Sequence, residues 1–232
     1  GPAFWIQKDV LAEAGYPEVK TLDQYFDLIK QYKEKHPTID GTPTIGFEIL
    51  NYDWKNWGLF NAPQHLIGHP NDGGVVVKDG KAEIFADKDY AKRYYKKLNE
   101  MNALGIIDKE TFTQNFDQYM AKISSGAVLG MFDQHWNFQS AENALITQKK
   151  DERTYVGLPI VFDEGIRDHY KDRPALNLNN GFGITVNASE EQAIRIIKLL
   201  DTLIQEDWQK ILAWGIEGED YIVKDGRFMK TQ

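Results

Sequence analysis

Short apolar runs alternate with amphipathic stretches of helical period along most of this chain, and no other feature constrains the fold as much. Thr21 with Gln24 gives a capping-box signature. Leu22, Tyr25, Phe26, Ile29 and Tyr32 follow at the spacing of one helical face, which predicts a helix packed through about a third of its surface and stopped by Pro37. Ser189 with Gln192 opens another, striped by Ala193, Ile196, Ile197, Leu200, Leu203 and Ile204. Further helices are predicted over 8–14, closed by Gly15; over 90–104, capped by Asp87 and ended by Gly105; and over 114–124, 136–150 and 207–214. Strands are predicted over 4–6, 44–50, 127–132, 155–161 and 181–186, with hairpin turns at Asp79-Gly80 and Asp225-Gly226. Residues 52–60 read as a loop or irregular turn, and 166–178 as a polar loop. No internal repeat or low-complexity linker interrupts the order, so a single α/β domain is expected.

At 232 residues the chain can bury a core without covalent staples, and with no cysteine it has neither disulfides nor thiolate metal sites. A formal charge of -8 opposes steering toward nucleic acid or anionic lipid. No apolar run approaches the roughly 20 residues of a membrane helix. Gly1-Pro2 resembles a remnant of tag removal, so residues 1–3 are set apart from a domain over 4–232 that reads as an excised piece. Six tryptophans exceed what a minimal core needs and direct attention to exposed rings.

The stretch GMFDQHWNF, residues 130–138, places Asp133, Gln134, His135 and Trp136 directly after a predicted strand. A neutral polyol offers flat C–H faces for aromatic rings and hydroxyls for acids and amides, so this mixture suits a sugar. On residue type alone the favoured reading is ordinary packing by Phe132 and Trp136, with Asp133 capping the next helix. Tyr52, Trp54 and Trp57 form a second cluster, readable as a binding platform or as a loop anchored on its own rings. Asn177, Asn179 and Asn180 are candidate ligand amides or plain turn residues. Glu217, Glu219 and Asp220 form one local cluster, which cannot set two carboxylates across a glycosidic bond. His65 and His69 are four apart, but Gly68 intervenes and Pro70 follows, against a metal-binding helix. Gly181 and Gly183 give only GxG, and no nucleophile elbow or phosphate loop is present, so no catalytic constellation emerges.

Four segments taken in order carry a resemblance: FWIQKDVLAEAGYPEVKTLDQYFDLIKQYKEKHP, KDGKAEIFADKDYAKRYYKKLNEMNALGIIDKETFTQ, GAVLGMF and WGIEGEDYIVKDGRF. Together, over nearly all of residues 4–229, they resemble the family 1 extracellular solute-binding proteins of bacterial ABC importers. The similarity is narrower to the branch of LipO-like and alginate-binding-protein-like oligosaccharide-binding lipoproteins. The resemblance implies an α/β fold of the type II periplasmic-binding-protein kind, here a single lobe with a mixed sheet flanked by helices. It also implies a receptor that closes two lobes on its ligand and does no chemistry. The missing first lobe of the same protein and an ABC permease are then its partners, and the extracellular membrane face or the periplasm its location. Relatives often carry an acid-rich calcium loop after the second helix; here HPTIDGTPTIGFE keeps only Asp40-Gly41 and Glu48, too few oxygens for calcium.

With the resemblance, Trp136 and Asp133 become expected cleft residues, followed by Trp57 and Trp54. Asn180, Arg173 and Glu217 are expected polar or hinge contributors. The expected ligand is a small molecule, foremost an oligosaccharide, bound by a monomer without metal, cofactor or nucleic acid. A peptide or amino-acid receptor of the same fold, and a glycoside hydrolase, are the alternatives.

Overall fold

The computed structural model describes residues 2–51, 56–69, 75–84, 86–170 and 182–231, which fall into two compact units, Gly1–Pro174 and Ala175–Gln232. The first unit opens with β1 (Pro2–Gln7) and α1 (Lys8–Glu13), closed by Gly15 at φ 78°. Next comes α2 (Leu22–Lys35). Its capping box is formed as expected, and Leu22, Tyr25, Phe26, Ile29 and Tyr32 are all buried. β2 (Thr38–Ile39) and β3 (Thr42–Pro43) make a small hairpin before β4 (Ile45–Glu48). The expected irregular stretch ends in short helices, α3 (Trp57–Phe60) and α4 (Ala62–Leu66). β5 (Val75–Lys78) and β6 (Lys81–Ile84) then turn at Asp79-Gly80, where both residues have positive φ.

α5 (Asp89–Ala103) starts from Lys88 rather than the expected cap Asp87, with no side chain closing its first turn. α6 (Phe116–Ser125) starts one cap later than its pattern suggests, because Asn115 forms a capping box with Gln118. β7 (Val128–Gln134), α7 (His135–Thr147) and β8 (Tyr155–Leu158) complete the unit. β8 ends short of the expected residue 161 because Pro159 offers no N–H to continue the ladder.

The four main strands lie in the order β4-β7-β1-β8. β4 runs parallel to β7, and β1 runs antiparallel to both β7 and β8, giving the mixed sheet that was expected. Period-two alternation along β1 sends Phe4 and Ile6 into a core with α1, α2 and α5. Trp5 faces the other way, toward Met131, Phe138 and Tyr155 under α6 and α7. Helices therefore cover both faces, and most of the apolar area that holds the unit together lies in these two layers.

In the second unit α8 (Glu190–Leu203) again has its capping box, and α9 (Glu206–Trp214) ends at Gly215. β9 (Tyr221–Lys224) and β10 (Arg227–Lys230) pair around Asp225-Gly226. Trp214, Tyr221 and Phe228 form a small ring cluster. Among the described residues no strand occupies 182–185, contrary to expectation; β9 and β10 pair with no other strand, and a strand without a ladder leaves its backbone groups unpaired. The α8 stripe is helical as predicted, yet none of its residues is buried, and Ile196, Ile197 and Ile204 are exposed.

Candidate functional site

β4, β7 and β8 all finish at the sheet edge where β1 begins: Pro2 pairs with Gln134, Phe4 with Leu158, and Met131 with Glu48. In open α/β sheets ligands gather beyond strand carboxyl ends, where loops converge and backbone groups are unpaired. Along this edge runs a groove of about 590 Å³ lined by Ala3, Trp5, Gly157, Pro159, Asp168 and Tyr170, among others. Trp5 is its half-buried wall. The indole N–H donates to the Asp133 carbonyl at 2.8 Å, while His135 and Phe138 pack on the ring at 5.2 Å each. Opposite it in the ladder sits Gly157, where a Cβ would lie 3.1 Å from the ring carbon Cζ3. The missing side chain leaves part of the indole bare to the groove.

Tyr170 forms another wall. Its hydroxyl donates to the Ile160 carbonyl at 2.5 Å, its ring lies 4.9 Å from that of His65, and burial pushes its phenol well above the ordinary value. Asp168 is the one carboxylate among the groove's described lining residues. Neither the facing acids of a glycosidase nor a charge pair for peptide termini is present among those residues.

Of the expected site residues, Asp133 is 1% exposed and fully engaged by the protein. One carboxylate oxygen accepts from the Tyr119 hydroxyl and the Asn137 amide, both at 2.7 Å; the other accepts from the Gln134 N–H at 2.7 Å. It locks the β7–α7 corner and fixes the carbonyl that holds Trp5. Trp136 lies on the first turn of α7, 56% exposed, with its indole N–H donating to the Gln134 side chain at 2.7 Å. His135 meets Glu142 at 2.7 Å, whose other oxygen accepts from the Tyr155 N–H. Glu217 lies in the second unit, where Tyr221 donates to it at 3.2 Å. Trp57 begins α3, but its side chain, like the whole of Trp54, Arg173, Asn177, Asn179 and Asn180, lies outside the described residues. Trp5 and Tyr170 were missed by sequence reasoning. Trp5 did carry a signal, a tryptophan on the alternate face from Phe4 and Ile6, but the glycine that bares it is 152 positions later in the chain.

Behind the sheet edge, Glu48 is wholly buried; burial, followed by its hydrogen bond to Asp108, pushes its carboxyl up to about 8. Gln114 donates to it at 2.5 Å and the Ile49 N–H at 3.1 Å. Burial opposes ionisation of Asp108 as well, but hydrogen bonds from Glu48 and Lys122 hold it below the usual range, so Glu48 keeps the proton. Lys122 also bridges to Glu110 at 2.8 Å and Gln114 at 2.9 Å. Asp40 holds Lys150 and Arg153, each at 3.0 Å. Among the described residues no group of three or more acids and histidines is arranged to hold a metal.

The family model described as bacterial extracellular solute-binding protein matches residues 1–216. The fructooligosaccharide ABC transporter substrate-binding protein FusA of Streptococcus pneumoniae is 31% identical over 119 residues, 51% of this chain and 22% of that protein. Lipoprotein LipO of Bacillus subtilis is 25% identical over 98% of this chain and 45% of its own length. Among solved structures, an HMO binding ABC-transporter associated solute-binding protein from Bifidobacterium longum infantis superposes with a TM-score of 0.61 at 20% identity, over 97% of this chain and 47% of that one. The chain thus spans less than half the length of each of these proteins.

Proposed function

Since the chain belongs to the bacterial extracellular solute-binding proteins, we propose that it is part of the substrate-binding component of an ABC importer and that its ligand is a carbohydrate, foremost an oligosaccharide. One observation carries this reading: the Trp5 indole, clamped on its N–H and one face, meets a groove of about 590 Å³ at the carboxyl edge of the sheet. A ring fixed in this way stacks on a pyranose or furanose without losing side-chain entropy on binding. Trp136, exposed on the adjoining helix, serves as the second ring, and Asp133 acts through the corner it locks. Trp54, Trp57, Asn180, Arg173 and Glu217 remain proposed contributors.

Residues 4–232 on this reading are one lobe of a two-lobed, monomeric receptor, lipid-anchored outside the cell or periplasmic, that closes on its ligand and delivers it to a permease. Binding without turnover fits a groove with one described carboxylate, and a peptide receptor would need fixed charges for both termini. Calorimetry on the full-length protein with neutral oligosaccharides and with short peptides tests the reading. Heat with saccharide, diminished in Trp5→Ala, is expected; peptide binding alone, or release of reducing sugar, would replace it.

A further inference from the structure

Among the described residues, two consecutive side chains of α4 are buried with every polar atom unmatched. Gln64 is 0% exposed and His65 2%, and the amide oxygen, the amide nitrogen and both imidazole nitrogens find no hydrogen-bond partner. An unpaired buried donor or acceptor costs about 1–3 kcal/mol, so these four atoms call for partners. Such groups are ordinarily met by water or by a ligand that takes its place.

Their position favours the ligand. The His65 ring lies between Phe132, at 5.4 Å near the carboxyl end of β7, and Tyr170, at 4.9 Å. Tyr170 is at once a wall of the groove and the cover over His65. Access from the groove to His65 requires the Tyr170 ring to turn off it, at the loss of its bond to Ile160. We propose that Gln64 and His65 form a polar recess behind Tyr170 that receives hydroxyls of an uncharged saccharide lying on Trp5. Hydroxyls both donate and accept, as an amide and a neutral imidazole together require. Among the groove's described lining residues no cation faces the alternative, a uronic acid sugar: burial holds the nearby His65 imidazole down to about 4, so it is neutral at physiological pH, and the described carboxylate, Asp168, repels an anion.

This inference rests on the carbohydrate reading, and the test separates the two. Saccharide binding is followed on the protein by tryptophan fluorescence and by ring-nitrogen NMR of the histidines, with kestose as the neutral probe and a triuronate as the acidic one. Kestose is expected to move both the tryptophan signal and the His65 resonances, with the triuronate at least tenfold weaker. A tryptophan response without any His65 shift overturns the recess and leaves the carbohydrate reading standing; silence in both signals to every saccharide overturns both. His65→Phe and Gln64→Met give a second readout. Both are expected to keep or raise the melting temperature, since they remove orphaned groups, while weakening kestose at least fivefold. Affinity within twofold of the parent in a folded variant means that water alone serves these atoms, and the proposal fails.

Discussion

The Tyr25 hydroxyl passes beneath Gly130 to donate to the Trp5 carbonyl at 2.6 Å, through space in which a Cβ on Gly130 would meet that hydroxyl oxygen at 2.1 Å. A helix on one face of the sheet thereby holds the strand whose tryptophan looks out from the other. Gly130 also tolerates no relief sideways, with Ile29 and the Trp5 carbonyl each 3.0 Å from the same point.

Gly130→Ala is therefore expected to destabilise the unit by about 2–4 kcal/mol, combining overpacking with a displaced buried hydrogen bond. Urea unfolding measures it. Tyr25→Phe removes the obstructing oxygen, so the double variant should lose clearly less than the two single losses added together. Strict additivity would mean the clash is absorbed elsewhere.

For ligand binding, Trp5→Ala should weaken saccharide affinity about tenfold, in keeping with a lost stacking contact, while the far-ultraviolet spectrum is preserved. Gly157→Val is a second probe, because it keeps the indole but crowds its ring at Cζ3 and covers the face that the glycine leaves bare. Calorimetry should find it at least as damaging as Trp5→Ala. Trp136→Ala, on an exposed ring, should lower affinity without moving the melting temperature, and unchanged affinity would remove Trp136 from the site.

Asp133 calls for a different pair of variants. Asp133→Ala removes the acceptor of the Tyr119 hydroxyl, the Asn137 amide and the Gln134 N–H, and should cost about 3–5 kcal/mol in thermal or urea unfolding. Asp133→Asn retains the Tyr119 bond and much of the corner. Saccharide binding that survives in the asparagine variant identifies the residue as a scaffold, whereas selective loss of binding in a stable protein makes it a direct contact.

Glu48 makes stability depend on pH. Its folded value, about 8, lies above the ordinary carboxylate range, so both states hold the proton below about 4.5 and the full stability is present there. Between about 4.5 and 8 the unfolded chain releases a proton that the folded one keeps. Stability then falls as pH rises, by at most about 1.4 kcal/mol per unit, and levels off above 8. Asp108 is shifted downward, so its contribution is lost in acid and does not cancel this window. Melting temperatures from pH 5 to 8.5 should decline in the parent and decline less in Glu48→Gln. Parallel curves would show that Glu48 is ionised in the fold.

Much of the local structure was written in single short stretches. Thr21 with Gln24, Ser189 with Gln192, Asp79-Gly80 and Asp225-Gly226 each produced the predicted cap or turn, because the partners sit within a few residues and need no tertiary context. The strand expected over 181–186 is absent from the described residues 182–185 for the complementary reason, since a ladder depends on a neighbour that a local pattern does not name. At the candidate site, Trp136 was legible as an exposed ring beside a strand end, whereas Asp133 showed its residue type but not that Tyr119 and Asn137 would enclose it.

By itself, then, the order of residues determined the helices, the hairpins, the apolar face of α2 and the resemblance to solute receptors, all properties of spacing along one chain. Tertiary structure alone decided that Gly157 bares Trp5, that Glu48 shares its surroundings with Asp108, and that Tyr170 covers the buried His65. Those relations depend on which strands pair and which layers close, and the burial that gives them their energies exists only once distant segments have excluded water between them.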